Sequence, residues 1–350
     1  MNQMMKKVLS LGLAGAMTLG MSACGGSSDS NANNSDKVYK VGIVQYVDDA
    51  SLNQIEKNIE KELDAKGKEL GVTFDYKDYT YNGQADGSVL NQIADELITD
   101  EVDIIIPIAT PTAQIMQAST DGKDIPIVFA AASDPEGAGL VESMEKPGGN
   151  ITGTSDALNT EAVLDLMLAA NPDTEYVGLL YSKSESASEK PIEDAKKYLD
   201  EKGIKYIEKT GTTTDEVSSA ADALIAEKVD AIFTPTDNTV MTAELAIYEK
   251  LADAGIPHYC GADSFALNGS FVGYGVDYAN LGKETADMVV EILVDGADPA
   301  TMGVRTFDNG IATINTEVCE KLGLDLEEIK TAFEPLCTSI VETVTAEEFE

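Results

Sequence analysis

Three strand-like segments occur twice in this chain, in the same order, and no other feature limits its fold so tightly. Val41-Gly42-Ile43-Val44-Gln45-Tyr46 is answered by Val177-Gly178-Leu179-Leu180-Tyr181-Ser182. Val102-Asp103-Ile104-Ile105-Ile106-Pro107-Ile108-Ala109-Thr110 is answered by Val229-Asp230-Ala231-Ile232-Phe233-Thr234-Pro235-Thr236-Asp237, and Ile125-Pro126-Ile127-Val128 by Ile256-Pro257-His258-Tyr259. Chance supplies one such match; three in order argue for two equivalent halves, each wound βαβαβ. The apolar runs are too short for helices and do not alternate like half-exposed strands, so they suit central strands of parallel sheets covered on both faces.

Helix-period segments fill the gaps. The spacing predicts strands at 38–46, 72–79, 104–108 and 125–129, separated by helices at 51–70, 86–100 and from Thr110, with a crossing strand at 151–155. The second half reads as strands 176–181, 204–209, 229–234, 256–259 and 271–276, with helices 189–203, 214–227, 239–254 and 277–295. Such alternation marks an α/β protein of two doubly wound parallel-sheet lobes. Thr110 reads as a helix N-cap with Pro111 at the first helical position, where its missing N–H costs nothing. In open parallel sheets the crevice at the carboxyl ends of the strands is where ligands bind, because free backbone N–H groups point into it. A cleft between the lobes therefore has Thr110 on one wall and Asp237 on the other.

The N-terminus is of a different kind. Lys6 and Lys7 precede an apolar stretch from Val8 to Met21, then Ser22-Ala23-Cys24 and a run rich in Gly, Ser, Asn and Asp. Residues 1–23 read as a secretory signal, and the small residues before Cys24 resemble a bacterial lipobox, in which the cysteine becomes the lipidated first residue. Residues 24–36 then form a flexible tether. The expected location is the extracytoplasmic face of the cell membrane, held by the lipid (palmitate) anchor.

Charge and motifs exclude several classes of function. The chain carries 62 Asp and Glu against 24 Lys and Arg, a net charge of -38. Such a surface repels phosphate backbones and anionic head groups, so no nucleic-acid partner is expected. Cys260, Cys319 and Cys337 are scattered and give neither a disulfide framework nor a zinc site. The single histidine, His258, lies in a predicted strand and reads as a core residue satisfied by its neighbours. There is no phosphate-binding Gly-rich loop, dinucleotide fingerprint or nucleophile elbow. The expectation is a non-enzymatic protein with no catalytic residue, no cofactor and no metal.

The strand ends supply small hydroxyls, carboxylates and tyrosines instead. From the first lobe come Gln45, Tyr46, Thr110, Thr112, Gln114, Ser133 and Asp134; from the second, Tyr181, Glu185, Ser188, Asp237 and Asn238; and near the crossings, Asp156 and Asp277. A zwitterion suits this set: hydroxyls and backbone N–H groups after Ala109 hold a carboxylate, and Asp237, Asp156 or Asp277 pairs with an ammonium. Tyr46, Tyr181 and Tyr278 offer flat faces to a side chain. Thr110 and the three aspartates equally suit helix caps, so scaffold and site stay open for each.

Several of these segments are also familiar in combination. Ile108 to Gln114, Ser133-Asp134-Pro135, Pro147 to Gly153, Ser155-Asp156 and Gly275 to Gly282 together resemble the tryptophan/tyrosine-type substrate-binding proteins of ABC transporters, over roughly residues 40–315. The resemblance implies the type I periplasmic-binding-protein fold, with lobes joined by a three-stranded hinge. It implies capture of a small solute, often an aromatic amino acid, and delivery by a monomer to an ABC permease in the membrane. It divides the body into a first lobe of 37–153 plus 275–303, a second of 154–274 plus 304–334, and an acidic extension, 335–350. Ser182 and Ala187 stand where asparagines are common in the family, so the ligand's identity stays open. A sensory receptor of the same fold, coupled to a membrane signalling protein, shares all these features.

Overall fold

A computed structural model describes residues 37–346 of the chain. The expected signal peptide and tether, Cys24 and the last four residues lie outside the described residues.

The first sheet is built from β1 (Val38–Gln45), β2 (Thr73–Asp75), β3 (Thr80–Asn82), β4 (Ile104–Ile108), β5 (Ile127–Phe129) and β6 (Ile151–Ser155), with α1 (Ala50–Leu70), α2 (Gly87–Thr99) and α3 (Thr110–Ser119) between them. The second lobe runs α4 (Thr160–Ala170), β7 (Tyr176–Tyr181), α5 (Glu189–Lys202), β8 (Lys205–Thr210), α6 (Thr214–Glu227), β9 (Ala231–Thr234), α7 (Asn238–Asp253), β10 (His258–Cys260), α8 (Asp263–Leu267) and β11 (Val272–Gly275). Next come α9 (Tyr278–Leu293), β12 (Arg305–Thr306), β13 (Ile311–Asn315), α10 (Thr316–Lys321), α11 (Leu326–Phe333) and β14 (Ser339–Thr343). One sheet has the order β12-β6-β5-β4-β1-β2 with β3 also on β1; the other has β14-β13-β11-β10-β9-β7-β8. All pairings are parallel except β11 with β13. The α/β class with two parallel-dominated sheets is thus as expected.

Local chemistry accounts for the long elements. Asp49 caps α1 by accepting from the backbone N–H groups of Ser51 and Leu52, and Gly71 ends it in the left-handed conformation at φ 69°. Leu52, Ile55, Ile59 and Leu63 recur at helical spacing and are buried. Helix α9 lies on α1 at the position of Gly282, where a Cβ would stand 2.5 Å from the Ile55 carbonyl oxygen. Only glycine permits that approach.

Several boundaries differ from the sequence reading. The single strand expected at 72–79 is two short strands, because a turn in which the Tyr79 N–H donates to the Tyr76 carbonyl interrupts it. Arg305 and Thr306 pair with Thr154 and Ser155 in the first sheet. The first lobe therefore keeps its strands to residue 155 and residue 306, slightly beyond the expected divisions. The chain passes between sheets after β6, after β11 and after β12. Residues 339–343, expected in a separate acidic extension, form the edge strand of the second sheet, paired along β13 from Ile311↔Ser339 to Asn315↔Thr343.

Candidate functional site

In both sheets the strand order reverses beside the first strand of the lobe, between β1 and β4 and between β7 and β9. These switch points open crevices at the carboxyl ends of the strands, and the two crevices face each other. The lobes are closed on one another. The Ser51 hydroxyl on α1 donates to Asp263 on α8, Gln54 Nε2 donates to the same carboxylate at 3.0 Å, and the Ser264 N–H donates to Ser51 Oγ at 3.2 Å. Ser186 in the second lobe lies 3.5 Å from Gln114 Oε1 in the first.

A cavity lies between them. Only about 30 Å³ of it can hold the centre of a water molecule, so it is a narrow slot. Its polar lining is Asp49, Ser51, Thr110, Ser133, Asp156, Thr236, Asp237, Asn238, Ser264 and Tyr278. Leu52, Ala109, Ala131, Ala187, Met241, Ala262 and Phe265 supply the apolar part. Among the described residues, no lysine, arginine or histidine lines it.

The first-lobe wall is made by backbone. Ala109, next after β4, has φ 78° and ψ 151°, and Ala131, after β5, has φ 56°. Such conformations are uncommon for a residue with a Cβ and cost of order 1–3 kcal/mol in the glycine-favouring region. They persist because neighbours hold them: the Ala109 N–H donates to the Ala130 carbonyl at 2.9 Å, and the Ala130 N–H to the Pro107 carbonyl at 2.9 Å. Ala109 occupies the cap position of α3 with no side-chain hydrogen bond, so Thr110 is the first helical residue and not the N-cap expected. Pro107 and the Ala109 turn swing the chain so that Thr110 Oγ1 accepts instead from the Ser133 N–H, at 3.4 Å. The first turn of α3 is left without a side-chain acceptor.

The second-lobe wall is the reverse. Asp237 caps α7 and is 1% exposed. Its Oδ1 accepts from the Val240 N–H at 2.9 Å, and its Oδ2 accepts from the Ser182 N–H at 2.7 Å and the Ser188 hydroxyl at 2.6 Å. Asp237 thus ties the 182–188 loop to α7 while facing the cavity. Between the walls, at the end of β6, Asp156 accepts from Ser133 Oγ at 2.9 Å and from the Tyr278 hydroxyl at 3.5 Å. Burial holds Asp156 and Asp237 above the usual carboxylate range, and pushes Asp49 up to about 6. Glu185, buried beside them, accepts from Asn238 Nδ2 at 3.3 Å, and burial and then Asp237 raise it too.

Of the fourteen expected ligand-binding residues, the structure brings Thr110, Ser133, Asp156, Asp237 and Asn238 to the cavity lining. Glu185 and Ser188 stand behind Asn238 and Asp237 as partners. Tyr46 is half-buried, and its hydroxyl is held at about 12 by burial and then by Glu185 and Asp237 across the cleft. The others are engaged elsewhere. Gln45 Nε2 donates to the Val47 carbonyl and to Asn53, Gln114 Nε2 donates to the Ala138 carbonyl, and Asp134 accepts from the Gly137 N–H. The Tyr181 hydroxyl turns to Glu208 at 2.6 Å, and Thr112 is buried inside α3. Asp277 is an exposed cap of α9, and its neighbour Tyr278 enters the cavity in its place.

Asp49, Ser51, Leu52, Met241, Ser264 and Phe265 were not anticipated. The Asp49 cap follows β1 as Asp237 follows β9, so the rule that strand ends face the crevice contained the signal. Ser264 and Phe265 lie on α8, whose five residues are too few to show a period. His258 is satisfied: Nδ1 lies 3.0 Å from Glu244 and Nε2 2.8 Å from Thr234, with its ring against the edge of Phe265.

Comparison with known proteins agrees with this architecture. The family described as ABC transporter substrate binding protein matches residues 40–334. A tyrosine-binding protein of Clostridioides difficile (strain R20291) is 33% identical over 329 residues, covering 91% of this chain and 93% of its own. A crystal structure from Streptococcus pneumoniae, of an ABC domain in complex with L-Trp, is 31% identical with a TM-score of 0.79, over 87% of this chain and 100% of that one. The ligand-free, open structure of a substrate-binding protein with adhesive properties from Clostridium difficile is 30% identical with a TM-score of 0.66, over 88% and 100%. The TM-score is thus higher against the structure in complex with L-Trp than against the ligand-free, open one. By sequence and fold alike, this chain belongs to the ABC transporter substrate-binding proteins, which bind solute and are not enzymes.

Proposed function

We propose that the cavity binds an aromatic L-amino acid, which the protein delivers to an ABC importer from a lipid anchor at Cys24 on the outer face of the membrane. The observation that carries this reading is the pairing, across one narrow slot, of an open helix N-terminus on α3 with the buried carboxylates Asp156 and Asp237. The α3 turn favours a carboxylate through its free N–H groups and helix dipole. Asp156 and Asp237, with no basic side chain among the described residues of the lining, favour an ammonium. Phe265, Tyr278, Leu52 and Met241 supply flat or pliant apolar walls. The names of the relatives, one called tyrosine-binding and one crystallised with L-Trp, support the same ligand class.

The test is a titration of protein that has been unfolded and refolded to strip copurified solute. L-Tryptophan, L-tyrosine and L-phenylalanine are compared with tryptamine and tyramine, which lack the carboxylate, and with indole-3-propionate, which lacks the ammonium. At least one amino acid should raise the melting temperature, and removing either charged group should weaken binding about tenfold or more. Equal affinity for an amino acid and its amine would remove the α3 carboxylate site, and silence from all three amino acids would reject the ligand class.

A further inference from the structure

The segment beyond the family's matched region, which ends at residue 334, reaches back to a helix of the cavity wall. Helix α8 carries two cavity-lining residues and, in Asp263, the acceptor that Ser51 and Gln54 of the other lobe engage. It is five residues long and has no side-chain N-cap. A helix that short does not hold itself, because nucleation is costly and its last carbonyls have no partner within it.

External donors meet those carbonyls. Asn315, at the end of β13, donates its Nδ2 to the Ala266 carbonyl at 2.7 Å and to Thr345 Oγ1 at 3.0 Å. The Ala346 N–H donates to the Leu267 carbonyl at 3.1 Å. Ala346 and Thr345 are placed by β14, which runs along β13 for five residue pairs. We propose that Asn315 and the β14 segment position α8, and so set how firmly the closed lobes hold ligand. Asn315 is a positioning residue: it touches α8 and the tail, and acts on the cavity through them.

Two point variants of the full chain test this. Asn315→Asp keeps the oxygen that caps α10 by accepting from the Val318 N–H, but removes both Nδ2 donations. Ala346→Pro removes the N–H that reaches Leu267. The first readout needs no ligand: backbone hydrogen exchange at the amides of Asn268, Gly269 and Ser270, which donate to α8 carbonyls. Exchange there should quicken at least tenfold in either variant, with β4 and β9 unchanged. The second readout is the dissociation rate of L-tryptophan and L-tyrosine, expected to rise about tenfold for whichever binds, with the ratio of the two affinities unchanged. Unchanged exchange at α8 overturns the proposal, as does faster exchange with unaltered ligand dissociation. Loss of protection across the whole second sheet in both variants also overturns it, since the segment would then be an ordinary edge. Should neither amino acid bind the unaltered protein, the ligand reading fails, and the dissociation readout moves to whichever solute does bind.

Discussion

The two copies of the strand-turn-helix unit, β4 into α3 and β9 into α7, began from nearly the same sequence pattern and ended with opposite chemistry. In the second copy an aspartate sits at the cap, and the first N–H groups of the helix and its neighbouring loop converge on it. In the first copy an alanine in an unfavoured conformation sits there, and the helix start is left open to the cavity. One wall therefore carries a buried carboxyl group and the other carries backbone donors open to the cavity. The repeat in the sequence has become an electrostatic axis across the cleft, and the zwitterion proposed as ligand would lie along it.

The largest expected effect comes from damaging the closed copy. Asp237→Asn keeps the shape but turns one acceptor into a donor amid three donors, Val240 N–H, Ser182 N–H and Ser188 Oγ. It should cost about 2–3 kcal/mol of stability in denaturant unfolding and abolish measurable amino-acid binding. If stability is unchanged, Asp237 is not the knot that these distances imply.

Making the first copy resemble the second comes next. Thr110→Asp places a carboxylate in the first turn of α3, where the helix dipole favours it, so folding should be intact. Affinity for aromatic amino acids should fall about 10- to 100-fold, or ~1.4–2.8 kcal/mol, while tyramine and tryptamine are spared. Calorimetric titration that finds amino acid and amine weakened alike would place the ligand carboxylate somewhere other than α3.

The smallest effect concerns protons. Asp49, held near 6, and Glu185, also raised, keep their protons in the folded chain at pH values where the unfolded chain has released them. Their contribution to stability is present below the ordinary carboxylate range and is lost as pH rises through the folded values. The melting temperature of the unliganded protein should therefore fall between about pH 5 and about pH 8. Glu185→Gln should flatten that fall by on the order of 1 kcal/mol. An unaltered slope would mean that Glu185 is ionised throughout.

Much of the fold was legible because its strands and helices are long enough to show their periods, and because the repeat set the order of the sheets. What escaped was α8, which shows less than two turns, and the break between β2 and β3, where tyrosines recur across Asp75-Tyr76-Lys77-Asp78-Tyr79-Thr80-Tyr81 with no glycine or proline to mark the turn. At the site, residue type and strand-end position located Asp156 and Asp237, since both lie within three residues of the end of a buried strand. The same reasoning offered both Asp277, as an ammonium partner, and Tyr278, as a flat face; only Tyr278 reaches the cavity, because a cap and a wall differ by one step along the chain and the packed helix decides which faces in. Ala109 and Ala131 carry no signal in their side chains; their part in the cavity lies in backbone angles that only the neighbouring strand imposes.

The chain contains no tryptophan and 13 tyrosines, and one of those tyrosines, Tyr278, forms part of the closed slot. A bound L-tryptophan would be the only indole in the complex, so light at the red edge, where phenols no longer absorb, would excite the cargo alone. Loading and release would then register as a shift of ultraviolet emission, to shorter wavelength in the closed slot and back on discharge, with no label attached.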